Sequence, residues 1–166
     1  MHRAWGFVER TEIAKPAAGK ALTWVAPAAY MWGVVSMFAT LTTSAQVANR
    51  LPNVQLQDPR GIVYYEAGVN ILLPASQKSG LSVTMSPALV STEKPLVQVL
   101  ALPAFLLPPE WQIVIGANAL QTEDQFSAAN VLVEAYEPQP EHPIAEIEHA
   151  IEAIRMLGEA VQIAST

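Results

Sequence analysis

Few side chains in this sequence have the type and spacing that chemistry demands. His142, Glu146 and His149 stand at i, i+4 and i+7. That spacing shares one helix face, where two imidazoles and a carboxylate could hold a metal ion. Glu123 and Asp124 are adjacent acids in a polar stretch, and carboxylates of that kind are candidate calcium ligands. Neither grouping is the expected chemistry. The histidine set falls on the outward side of the heptad described below, and an adjacent acid pair in a polar loop is ordinarily solvated. The remaining histidine is His2, so a histidine base would have to come from a chain end. No nucleophile elbow, glycine-rich phosphate loop or H-E-x-x-H motif occurs, and there is no cysteine to act as nucleophile, disulfide partner or thiolate ligand. Paired carboxylates brought together by folding are the one enzymatic route left, a sugar-processing one. The expectation is a non-enzymatic protein with no catalytic residues, no cofactor and no metal.

Trp5, Trp24, Trp32 and Trp111, with Tyr30, Tyr64, Tyr65 and Tyr136, could form a sugar-stacking platform. Aromatic rings in alternating strands are more often core or contact residues, and that is the reading adopted.

One pattern points to a surface instead of a reaction. Ile144, Ile147, Ile151, Ile154 and Val161 fall three, four, three and seven residues apart. As a heptad, Ile144, Ile151 and Gly158 take position a, and Ile147, Ile154 and Val161 take position d. The spacing predicts an amphipathic helix over residues 144–166, following a linker at 137–143 that holds Pro138, Pro140 and Pro143. A helix of this length is marginal alone in water, so the stripe needs a partner. Isoleucine at both a and d favours trimers or tetramers over dimers, which makes other copies of the chain the expected partner, as a trimer first. Folding back onto the rest of the same chain is the other reading, because a one-sided apolar stripe fits either surface.

The elements that must carry such a helix are strands. The chain has 166 residues, 51% hydrophobic and only 14% charged, against roughly 25% charged in an average soluble protein. That composition excludes disorder. The net charge of −6 is uneven: residues 1–136 hold eight Lys/Arg and nine Asp/Glu, whereas 137–166 hold six Glu against Arg155. No basic footprint exists for phosphate, so nucleic acid is not an expected partner. Between Lys20 and Arg50 lie 29 uncharged residues, long enough to span a bilayer. Pro27 interrupts the run, Thr40, Thr42, Thr43, Ser44, Gln46 and Asn49 make its second half polar, and its centre is β-branched and aromatic. It reads as buried strand, not as a spanning helix or signal, so no membrane association is expected.

Short apolar runs at 22–25, 32–43, 54–57, 62–65, 81–86, 96–102, 111–115 and 131–136 are separated by turn residues. With a first strand near Phe7, they predict eight or nine mostly antiparallel strands in a β-sandwich or jelly roll over residues 1–136. Trp32 to Thr43 is long enough to be buried on both faces or to bend between two sheets. Asp58-Pro59-Arg60-Gly61 is a type I turn between Val54–Gln57 and Ile62–Tyr65, predicting a hairpin. The near-continuous apolar runs at 32–41, 69–75 and 96–107 exceed what alternation needs, which implies apolar surface meant for other chains.

Leu107-Pro108-Pro109-Glu110-Trp111-Gln112-Ile113, then Gln121-Thr122-Glu123-Asp124-Gln125-Phe126-Ser127 and Val131-Leu132-Val133-Glu134, resembles the closing hairpin of small β-sandwich virion proteins of tailed bacteriophages. Ala39-Thr40-Leu41-Thr42-Thr43-Ser44-Ala45 to Asn49-Arg50 is similar to a stretch in the same group. The resemblance covers about residues 20–136 and carries no functional residues. It implies a structural, non-enzymatic component of the virion: capsid decoration, minor capsid, neck or tail-attached, packed among its own copies and other virion proteins. A carbohydrate- or receptor-binding β-sandwich module is the alternative function.

Overall fold

A computed structural model describes residues 6–69, 71–84, 97–104 and 106–137. The isoleucine stripe (Ile144, Ile147, Ile151, Ile154, Val161), the three histidines and Trp5 lie outside the described residues. Within them the chain is all strand: β1 (Phe7–Ile13), β2 (Leu22–Val25), β3 (Met31–Thr42), β4 (Leu51–Gln57), β5 (Val63–Gly68), β6 (Lys78–Thr84), β7 (Val97–Ala101), β8 (Leu106–Leu107), β9 (Gln112–Asn118), β10 (Gln125–Phe126) and β11 (Ala129–Tyr136). The excess over the eight or nine expected comes from β8 and β10, two residues each, too short to show a periodicity.

The larger sheet has the order β1-β11-β3-β6-β7, with β8 and β10 also paired to β3, and the smaller sheet has the order β2-β9-β4-β5. Setting β7, β8 and β10 aside, the strands pair first with last. β1 joins β11, β2 joins β9, β3 joins β6 and β4 joins β5, all antiparallel. This is one doubled ribbon rolled so that successive pairs fall in opposite sheets, the winding of a jelly roll. The departure from antiparallel pairing is β6 with β7, which run parallel. Leu22, Trp24, Val54, Leu56, Ile113 and Ile115 of the smaller sheet share one buried core with Val34, Met37, Leu81, Leu100, Val131 and Val133 of the larger.

Strand β3 neither bends between sheets nor buries both faces throughout. Its register with β11 shifts between Leu132 and Val133, which pair with Ser36 and Val34 and leave Val35 as the extra residue. A bulge of one residue exchanges the faces. Before it, Trp32 and Val34 are buried; after it, Met37, Ala39 and Leu41 are. The even-numbered and odd-numbered inward sets, placed end to end, are what make this stretch read as unbroken apolar sequence.

The β4–β5 hairpin is where the sequence places it. The Gly61 N–H donates to the Asp58 carbonyl at 2.9 Å. Asp58 Oδ1 accepts the N–H groups of Arg60 and Ile62, each at 2.9 Å. Burial pushes the Asp58 carboxyl upward, but these N–H groups and the Arg60 guanidinium outweigh it, and its pKa lies below the usual value. Gly61 has φ of +81°, so glycine matters here for backbone conformation and not only as a favoured turn residue.

At the opposite end of β4 a buried ion pair ties several loops together. Arg50 and Asp124 side chains are both fully buried and meet at 2.7 Å (Nε to Oδ2) and 2.9 Å (Nη2 to Oδ1). Arg50 also donates to the carbonyls of Gln46 (2.8 Å) and Ala48 (3.2 Å) and to Ser44 Oγ (2.9 Å). All five guanidinium donors are thereby used. Asp124 further accepts the N–H groups of Ser44 at 2.7 Å and Gln121 at 2.8 Å. Its own carbonyl accepts the N–H of Gly19 at 2.7 Å. The sequence expectation of a solvated Glu123–Asp124 pair is corrected: Glu123 is exposed, whereas Asp124 is fully buried. Desolvation pushes the Asp124 carboxyl up, but Arg50 and the Ser44 and Gln121 N–H groups more than compensate, lowering its pKa from 3.8 to about 2.

Two outcomes follow for stability. The carboxylate of Asp124 should contribute about 2 kcal/mol at neutral pH, present above its unfolded pKa and lost as pH falls toward about 2. Asp124→Asn strands a buried guanidinium and should cost about 3–5 kcal/mol. Urea melts of both proteins from pH 7 to pH 2 check this: the variant should lose stability at neutral pH and show a flatter acid limb, and matching curves would refute it. Gly61→Val meets no heavy atom within 4 Å of the added Cβ. Its cost should therefore be backbone strain alone, about 1–2 kcal/mol. Gly61→Asn should cost less, and equal melting temperatures for the two variants would sink that explanation.

Candidate interaction surface

Among the described residues no group of three His, Asp or Glu side chains could hold a metal ion. Asp124 is consumed by Arg50, and Glu123 stands apart from it at the surface. No helix among the described residues is long and apolar enough to cross a membrane. Several large apolar side chains are left at the surface.

Most aromatic rings are accounted for by packing. Trp24 meets Trp32 edge-on at 6.1 Å, Tyr30 meets Trp32 at 5.8 Å and Phe7 meets Tyr30 at 5.4 Å. Trp32 donates its indole N–H to the Pro27 carbonyl at 2.9 Å, which satisfies its polar atom in the core. This series of rings holds the start of β1 against the sandwich, where the strand is exposed from Phe7 to Arg10; at its other end Ile13 packs on the core. Tyr65 is half-buried and donates its hydroxyl to the Ala101 carbonyl at 3.1 Å, joining β5 of the smaller sheet to β7 of the larger.

Tyr64 is different. It is the extra residue of the β5 strand at the shift in register between Leu56 and Gln57, which pair with Tyr65 and Val63. It is exposed and lies against Trp111, with ring centroids 4.8 Å apart and an interplanar angle of 39°. Beside it, register places Val25, Gln112, Gln57 and Val63 in one row across the smaller sheet. Val25 and Val63 are exposed at the two edges, as is Ile62 next to the hairpin turn. The outward glutamines carry no charge, so the row is an apolar and amide surface with the Arg60–Asp58 pair at its end. Asp58 raises the pKa of Arg60 through the hydrogen bond between them, and neighbouring Tyr64 adds to the rise.

A second apolar group, Val47, Ile71 and Leu72, is exposed near the opposite end of β4. There Leu73 is buried and its N–H donates to the Arg50 carbonyl at 2.9 Å. Sequence reasoning identified the apolar excess at 69–75 but not the group at Tyr64. That group depends on a register shift and on Trp111 lying across the sheet from it, neither of which has a local signature.

The outer face of the larger sheet is mixed. Two shallow depressions adjoin on it, of about 420 Å³ beside Phe38, Gly80 and Val97 and about 310 Å³ beside Lys15, Gln125 and Ser127, with Thr40 and Lys78 common to both.

No family model and no curated protein sequence matches this chain. Among solved structures it is similar to a chain from the structure of infectious bursal disease virus, Gx strain, with 13% identity and a TM-score of 0.30. That alignment covers 85% of this chain and 33% of the other, so this chain spans about a third of that neighbour's length.

Proposed function

We propose that the chain is a non-enzymatic structural subunit of a tailed-phage virion, packed against its own copies and against other virion proteins. The observation that carries this reading is the exposed apolar and amide row across the smaller sheet, Val25, Val63 and Tyr64 with Trp111 beneath. An uncharged surface of that kind is what a stable subunit contact requires, since interface cores are depleted in charge and enriched in aromatic residues. The resemblance of the 107–134 stretch to small phage virion proteins supplies the assembly. The winding itself is neutral on function, because capsid domains, lectins and cupins all use it.

Val63→Asp/Tyr64→Asp should weaken self-association or particle binding by tenfold or more, about 1.4 kcal/mol, while leaving the melting temperature within a few degrees. Sedimentation velocity across a concentration series measures this, and association unaffected by the double variant would reject the surface. Immunogold labelling of purified particles tests the virion role; labelling confined to non-particle fractions would reject it. The depression beside Phe38 and Lys78 favours a carbohydrate-binding module as second reading, and a glycan array separates the two: a purely structural subunit binds nothing there.

A further inference from the structure

We propose that the acidic C-terminal segment, residues 138–166, folds back and lays its isoleucine stripe diagonally across the outer face of the larger sheet of its own chain. The face is already marked for an occupant of that shape. Among its exposed apolar side chains, Val8 (63%), Leu132 (36%), Phe38 (46%) and Val97 (39%) fall in a line, with Leu106 (44%) off it beside Gly33. Register sets that line. Val8 lies beside Glu134, Leu132 beside Arg10 and Ser36, and Phe38 beside Asn130 and Ser82. Each step from Val8 to Leu132 to Phe38 to Gly80 moves one strand over and two residues along, and Val97 then stands beside Gly80. Because Gly80 has no side chain, the line dips there into the depression of about 420 Å³, room for an apolar side chain from outside.

The dimensions agree. Crossing from β1 to β7 covers about 19 Å at the usual strand spacing, and three two-residue steps add about 20 Å along the strands, giving a diagonal of about 28 Å. From Ile144 to Val161, a helix with the predicted period is about 26 Å long. The attachment point also agrees. Strand β11 ends at Tyr136, two residues beyond the Glu134 that lies beside Val8. The chain therefore leaves the sheet next to the start of the stripe, with a proline-rich connection at 137–143 that can reach about 20 Å.

Charge favours the same occupant. Arg10, Lys15 and Lys78 border this face, against Glu12 and Glu134, a balance of +1. Residues 138–166 carry five Glu and one Arg, a balance of −4. An apolar stripe flanked by carboxylates fits an apolar line bordered by cations. The smaller sheet has only the row at Val25, Val63 and Tyr64, shorter and without free lysines beside it among the described residues.

Hydrogen–deuterium exchange on the full chain tests the docking. Amides of 144–161 should exchange at least about tenfold slower than in an unstructured chain, independent of protein concentration. Phe38→Asp/Leu132→Asp should abolish that protection while the amides of β4 and β9 keep theirs. Should that variant disturb the sandwich, Ile147→Asp/Ile154→Asp, which leaves the sheet untouched, should lose the same protection and increase binding of an apolar dye to the uncovered face. Three results would overturn the proposal: no protection in the unaltered chain, protection surviving the change of either partner, or protection that disappears on dilution. The second would leave the face to another occupant, such as the 85–96 connection, and the third would assign it to a second copy.

Discussion

The loop end of this sandwich depends on one buried ion pair. Taking Arg50 and Asp124 out of water is costly, and the cost is offset only because every guanidinium donor and both carboxylate oxygens are satisfied. The partners come from the β3–β4 connection, the turn before β10 and, through Gly19, the β1–β2 connection. The pair gives them a shared polar centre, and the hydroxyl of Thr43 extends it to Pro74 and Gln77 at 2.7 and 2.8 Å. Gly19 is obliged by the same arrangement: its φ is +71° and an added Cβ would lie 2.7 Å from Thr122 Cα.

Once those loops are held, the roll can close. Strand β3 serves as its spine, with β10 and β11 along one edge and β6 and β8 along the other. A strand asked to match so many partners accumulates mismatch in twist, and the bulge at Val35 is where this one absorbs it. The same bulge decides which side chains leave the core. Phe38 is exposed because the phase changes before it.

The two sheets present different outer surfaces as a consequence. The smaller one offers an uncharged row with a tyrosine lying tilted against a tryptophan at its end. The larger one offers a broken apolar diagonal with lysines near its lower half.

Read by itself, the sequence determined the strand content, the β4–β5 hairpin and the absence of close-spaced catalytic motifs, because these depend on residues adjacent along the chain. Alternation at Leu81 and Val83, and Asp58 and Gly61 around Pro59, act locally and can be read locally. It also presented the isoleucine period at 144–161, whose partner it had no means to identify. The tertiary structure alone decided the fate of Arg50 and Asp124, 74 residues apart, which look like ordinary surface charges until two loops bring them into the same dry space. It likewise decided that the unbroken apolar run of β3 is two alternating strands joined out of phase. Burial and charge pairing are properties of what lies opposite a residue, and a jelly roll places first against last, so here the deciding neighbour is almost always far away in the chain.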